Sequence, residues 1–158
     1  MKYIWLLCRA YYPNIGGIET SIYEMSKAFC RLGYKVIILT QEPEILNFEQ
    51  REEVATVEHY VDRRDLFSRI VIPLRVTYRR QEIRKKIEEL KGKYGVPEWV
   101  IARDPLMAVQ YYRIIGNNIT YIPPAIIAYD YENKNKKKLR NTIIARILMK
   151  YEQYYQEY

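Results

Sequence analysis

A short apolar run, a helical stripe and a second apolar run follow one another within the first 40 residues, and no other feature restricts the fold as strongly. Tyr3 to Cys8 is continuously apolar and bounded by Lys2 and Arg9, the pattern of a strand buried on both faces. Ile18, Ile22, Met25, Phe29 and Leu32 then recur at spacings of four, three, four and three, which predicts an amphipathic helix. Glu24, Lys27 and Arg31 fall off that stripe, and Gly33 is placed to end the helix as a left-handed cap. Val36 to Thr40 reads as a second buried strand. Strand, helix and strand so closely joined form a βαβ unit, whose crossover is right-handed in nearly all cases.

The alternation continues. Ala55 to Val61 reads as a third strand; Ile83, Ile87, Leu90 and Tyr94 mark a helix ending near Gly92 or Gly95. Trp99 to Ala102 is a short strand, Leu106 to Ile115 a helix, and Ile119 to Ile122 a strand closed by Pro123 and Pro124. Leu139, Ile143, Ile147, Tyr151 and Tyr154 support a last helix that runs to Tyr158. The fold class expected is α/β, a Rossmann-like open and mainly parallel sheet with helices on both faces. With 158 residues the chain holds one domain with a substantial core. A helix at its very end, with no strand after it, points to a domain cut short.

A formal charge of +7 favours anionic partners without choosing among them, because a basic surface raises their local concentration. Much of the excess lies in Lys134, Lys136, Lys137, Lys138 and Arg140, with more between Arg79 and Lys86; solvated faces are the plain account of both. Cys8 and Cys30 lack the spacing of a metal site or redox pair and read as two buried thiols in a reducing cytoplasm. The apolar stretch at the N-terminus is too short for a signal peptide and has no cleavage site. No run approaches the roughly 20 apolar residues that span a bilayer, so membrane association is expected to be peripheral.

Ligands of open α/β sheets bind beyond the carboxyl ends of the strands. Gly16 and Gly17 stand there, between the first strand and its helix. Glycines let a ligand approach the backbone, and a helix start favours an anion; the same pair is equally suited to making only the sharp turn. NIGGIET lacks the three-glycine dinucleotide fingerprint, and no glycine precedes Lys-Ser or Lys-Thr as in a P-loop, which argues against a nicotinamide-dependent dehydrogenase. At the end of Trp99–Ala102 stand Arg103 and Asp104. They are placed to orient a polar ligand, to supply a carboxylate for proton transfer, or simply to cap the next helix through a salt bridge. His59, the only histidine, lies in a strand and reads as structural, so no Ser-His-Asp set and no metal cluster can be assembled.

The stretch YYPNIGGIETSIYEMSKAFCRLGYKVIILT resembles the N-terminus of retaining glycosyltransferases of family 4, the group 1 transferases with the GT-B fold. These open with a strand, a Pro-x-x-Gly-Gly-x-Glu loop, a helix ending in Leu-Gly-His or a relative, and a strand ending in Thr. Pro13, Gly16, Gly17, Glu19, Leu32, Gly33 and Thr40 match, with Tyr34 at the common His position. IARDPLMAVQYY is similar to the family's strand-end segment, in which a His or Arg, an acidic residue and often a Pro precede a helix. ILMKYEQYYQEY resembles the helix that comes shortly before the crossing to the second domain. Residues 41 to 95 and 123 to 138 agree in element order alone.

The resemblance implies that residues 1 to 158 are the acceptor-side N-terminal domain of an enzyme whose nucleotide-sugar domain lies outside them. That enzyme would move a sugar from a nucleotide-sugar to a saccharide or lipid-linked acceptor with retention, without metal or cofactor, in the cytoplasm or at the inner membrane face. Carried over by position, Gly16 and Gly17, with Asn14 and Glu19, would meet the donor phosphates or the acceptor. Arg103 and Asp104 would be the catalytic residues on the acceptor side. Arg103 stands where many members have a His, and arginine stays protonated, so it can only donate or pair. Glu19 is also placed to favour the helix start as a carboxylate. The competing expectation is a non-catalytic basic α/β module that binds anionic lipid or nucleic acid. No nucleic-acid motif is visible, and nucleic acid is not an expected partner of the transferase.

Overall fold

The computed structural model of the protein describes residues 2–11, 16–41, 55–61 and 72–123. The chain divides into two compact units, Met1–Ile122 and Pro123–Tyr158, and the described strands and helices all belong to the first. The expected last helix, the lysine run and Asn14 lie outside the described residues.

Five strands and three helices alternate: β1 (Tyr3–Leu7), α1 (Gly17–Arg31), β2 (Lys35–Gln41), β3 (Thr56–Tyr60), α2 (Ile72–Tyr94), β4 (Trp99–Ala102), α3 (Pro105–Ile114) and β5 (Ile119–Tyr121). The strands form one sheet in the order β3-β2-β1-β4-β5, and every described pairing is parallel. Leu7 pairs with Leu39 on one side and Ala102 on the other, so β1 is central.

Burial on two faces explains why β1 is apolar without alternation. Trp5 and Leu7 join Ile83, Ile87 and Leu90 of α2 and Met107 and Tyr111 of α3 on one face. Ile4, Leu6 and Cys8 pack with Ile22 of α1 on the other, flanked by Ile18, Met25 and Phe29. Helices on both faces of a parallel sheet make this the expected Rossmann-like α/β fold. Among the described residues no helix is long and apolar enough to cross a membrane.

Gly33 adopts φ +86°, the left-handed cap expected of it. Its N–H donates to the Cys30 carbonyl at 3.0 Å and that of Tyr34 to the Phe29 carbonyl at 3.1 Å, which satisfies two end carbonyls. Phe29 and Tyr34 then pack edge to face, ring centroids 6.2 Å apart. Tyr34, at the family's His position, thus closes a helix end at the amino-terminal side of the sheet. Two expectations change. The second helix begins at Ile72, well before its apolar stripe, because Ile72, Leu74, Val76 and Tyr78 alternate with the period of a strand and not of a helix; Pro73 stands in the first turn, where a missing N–H costs nothing. Cys30 is half-buried, unlike Cys8, because it sits near the helix end beside the cap.

Candidate functional site

The connections leave β1 and β4 on opposite sides of the sheet, with α1 packed on one face and α3 on the other. Between the carboxyl ends of β1 and β4 is the topological switch point, where open parallel sheets form their crevice. Both loops singled out in the sequence start there. The Arg103 N–H donates to the Leu7 carbonyl at 2.7 Å and the Cys8 N–H to the Leu39 carbonyl at 3.0 Å, so the ladder fixes both loop origins. The Arg9 carbonyl is held by the Gln41 N–H at 3.2 Å and the Thr40 hydroxyl at 3.4 Å.

Asp104 is the N-cap of α3, accepting from the Met107 N–H at 3.0 Å on Oδ1. Its Oδ2 accepts from Arg79 Nη2 of α2 at 2.6 Å, with the side chains only 7% and 14% exposed. Arg79 Nε donates to the Tyr60 hydroxyl at 3.1 Å, so one guanidinium ties the ends of β3 and β4 to α2. Burial works against the Arg79 charge, and the Asp104 carboxylate with the Tyr60 oxygen more than offsets it. Burial likewise pushes the Tyr60 hydroxyl up to about 12, so it stays neutral. Asp104 therefore pairs with Arg79 and not with its neighbour Arg103. Its two oxygens are committed to holding the loop, the capping role the sequence left open.

Arg79 reads from sequence as one more solvated base, and its place in this site is a finding of the structure. A signal was nevertheless present: Arg79 lies four residues before Ile83, on the extension of the α2 stripe.

Arg103 follows an opposite course. Its Nε is buried and has no hydrogen-bond partner among the described residues. Its charge lowers the Cys8 thiol slightly, while those of Glu19 and Asp104 raise it. Cys8 itself is fully buried, and burial pushes its thiol up to about 12, against the Thr40 hydrogen bond. It is inert as a nucleophile.

Gly16 is the N-cap of α1 in extended backbone. A Cβ there would stand 2.6 Å from Glu19 Oε2, so the Glu19 carboxylate folds back over the helix start, where the dipole favours it. Gly17 is different. Among the described residues a Cβ there would meet nothing within 4 Å, and its φ is not left-handed. Nothing among the described residues demands a glycine at position 17.

His59 lies on β3 in register with Thr40, its Nδ1 buried without a partner among the described residues, and by strand alternation it faces away from Tyr60. Among the described residues no three His, Cys, Asp or Glu side chains are grouped to hold a metal ion. No protein-family model matches the chain, and no curated protein does.

Proposed function

We propose that this chain is the acceptor-side half of a retaining glycosyltransferase of the GT-B type, acting on nucleotide-sugars in partnership with a second α/β domain. One observation supports this above others: the two loops carrying Gly16-Gly17 and Arg103-Asp104 begin at neighbouring strand ends of a switch-point crevice. Gly17 adds weight, because a glycine with no described neighbour within 4 Å of its Cβ position suits a backbone that something else must approach.

On this reading the N–H groups at the start of α1 face the departing nucleotide phosphates, where negative charge develops. Glu19, folded over Gly16, must swing aside or accept a hydroxyl of the sugar when the donor enters. Arg103 donates to the acceptor or phosphates and transfers no proton. Asp104 positions Arg103 by anchoring the loop to α3 and Arg79. A basic surface, net charge +7, is in keeping with work in the cytoplasm at an anionic membrane face, on a lipid-linked or saccharide acceptor.

The test is donor consumption. The full-length protein, given a panel of nucleotide-sugars and saccharide or lipid extracts, should release nucleoside diphosphate and form a product of retained anomeric configuration. Gly17→Val should abolish this while the protein stays folded. Turnover unaffected by Gly17→Val would remove the site, and a failure to consume any nucleotide-sugar would remove the reading.

A further inference from the structure

Two consecutive residues at the end of β4 are held at four points, and one of these holds comes from a distant helix. The Arg103 N–H donates to the Leu7 carbonyl at 2.7 Å. Asp104 Oδ1 accepts from the Met107 N–H at 3.0 Å, and the Asp104 carbonyl accepts from the Ala108 N–H at 3.0 Å. A strand end and a helix start make bonds of these kinds by themselves. The last hold, Arg79 Nη2 to Asp104 Oδ2 at 2.6 Å, crosses 25 positions of sequence from α2.

Arg79 is itself held. Its Nε donates to the Tyr60 hydroxyl at 3.1 Å, and its guanidinium carbon stands 5.9 Å from the centroid of the Tyr60 ring. Tyr60 ends β3 and is 2% exposed, in the core that it shares with Trp5, Leu7 and Ile83. The ring cannot move without opening that core. Tyr60 therefore orients Arg79, Arg79 orients Asp104, and a peptide bond joins Asp104 to Arg103.

Stability does not account for this series. Taking two charges out of water is costly, and a buried ion pair commonly stabilises no more than apolar side chains of the same size. Capping α3 needs one side-chain oxygen, which an asparagine supplies as well as an aspartate. What the second hold adds is direction. A guanidinium is planar and offers its donors at fixed angles, so bonding Tyr60 with one N–H and Asp104 with another places the carboxylate relative to β3 as well as α3.

That placement acts on residue 103. Ala102 packs in the core that α2 and α3 cover, and Ile101 packs in the core under α1. By strand alternation Arg103 then points to the α1 side, while Asp104 reaches α2 on the other. A carboxylate clamped on one face thus fixes the backbone from which the Arg103 guanidinium projects on the opposite face, where α1 begins. We infer that Arg79 and Tyr60 are positioning residues of the candidate site, which hold Arg103 in place through Asp104 without touching a ligand. That they position Arg103 stands on this chain alone; that sugar transfer depends on them rests on the proposed glycosyltransferase reading.

Amide hydrogen exchange of the 158-residue chain tests the first part without any substrate. The double variant Arg79→Met with Asp104→Asn removes the ion pair and keeps a capping side chain. The reference is the Cys8 amide, bound to the Leu39 carbonyl at the neighbouring strand end. The ratio of Arg103 to Cys8 exchange rates should rise at least about tenfold in the double variant, as a local opening does. Tyr60→Phe leaves the ion pair and frees one side of the guanidinium, so it should raise the same ratio by less. An unchanged ratio in the double variant, whether both amides accelerate or neither does, would make the cluster merely structural and overturn the inference.

The full-length protein tests the second part, at temperatures where melting curves show each variant folded. Nucleoside diphosphate release should fall on the order of 100-fold in the double variant, the cost of a misplacement of about 1 Å. Arg79→Lys keeps a charge on Asp104 and loses the planar donors, so its rate should lie between. Lys85→Gln, an exposed base on α2, should release at the parent rate. A raised exchange ratio in a protein that consumes no nucleotide-sugar would leave the positioning and remove the transferase. Parent-like release from the double variant would leave the transferase and remove its dependence on Arg79.

Discussion

Gly17 separates what the fold needs from what the function needs. It occupies the first position of α1, and a methyl group there would meet nothing within 4 Å among the described residues, in a backbone conformation open to any residue. Gly17→Ala should therefore help folding. Glycine is about 1 kcal/mol worse than alanine inside a helix, and the restriction of the unfolded chain adds roughly 0.4–1 kcal/mol where φ and ψ are compatible. A first-turn position realises only part of this, so a gain of about 0.5 kcal/mol is expected. For a chain of this size that raises the melting temperature by roughly 1–2 °C. If the chain acts as proposed, sugar transfer should move the other way. A methyl group between the helix start and the incoming donor displaces it by about 1 Å, and misplacement on that scale costs on the order of 100-fold in rate. Calorimetric melting of the chain and initial-rate kinetics of the full-length protein read the two effects separately. Raised stability with unchanged turnover would refute the assignment of Gly17 to a ligand. Lowered stability would refute the reading of open space around it.

Arg79→Met should destabilise the protein by about 3–5 kcal/mol, because it strands the buried Asp104 carboxylate; adding Asp104→Asn, which keeps a capping side chain, should recover part of the loss in urea titrations. Gly33→Ala should cost about 1 kcal/mol through the left-handed φ of +86° alone, as its Cβ would touch nothing among the described residues, and chemical denaturation measures it. Glu58, on edge strand β3, bonds Lys93 and Tyr94 at 2.8 Å and meets Lys86 at 3.0 Å. Burial alone would raise its carboxyl, but these partners hold it down at about 2, from an ordinary 4.5. A depressed acid binds its proton less readily when folded, so its stabilisation is whole above pH 4.5 and drains away as pH falls towards 2. The stability gap between the parent and Glu58→Gln, read by urea midpoints, should shrink across that window; a gap that stays constant from about pH 6 to about pH 2.5 would contradict the network.

The elements built by periodicity were legible. The β1 run, the α1 stripe, Gly33 and the strand Trp99–Ala102 each follow from one local rule, and burial on both faces of β1 left no polar residue to confuse it. Long-range polar pairing was not legible. Asp104 and Arg103 are neighbours in sequence, which invited pairing them, yet Asp104 binds Arg79 across 25 positions because α2 starts beyond the carboxyl end of the sheet before running back along it. Similarly, Glu58 gave no sign of its three partners, since nothing local specifies which turn of α2 faces β3. The glycine pair stands out for a sound reason, its place between a buried strand and a helix. That its two members differ, Gly16 beneath Glu19 and Gly17 in the open, depends on where a side chain folds, which spacing does not encode.

If the β1–β4 crevice is one wall of a sugar-transfer site, nucleoside diphosphate release by the full-length protein must depend on it. Measuring that release for the parent and for Gly17→Val side by side tests this most directly. The parent should release nucleoside diphosphate and form a product of retained configuration, while Gly17→Val should release none above background in a protein that melts normally. Equal release from both, or an inverted product, would contradict it.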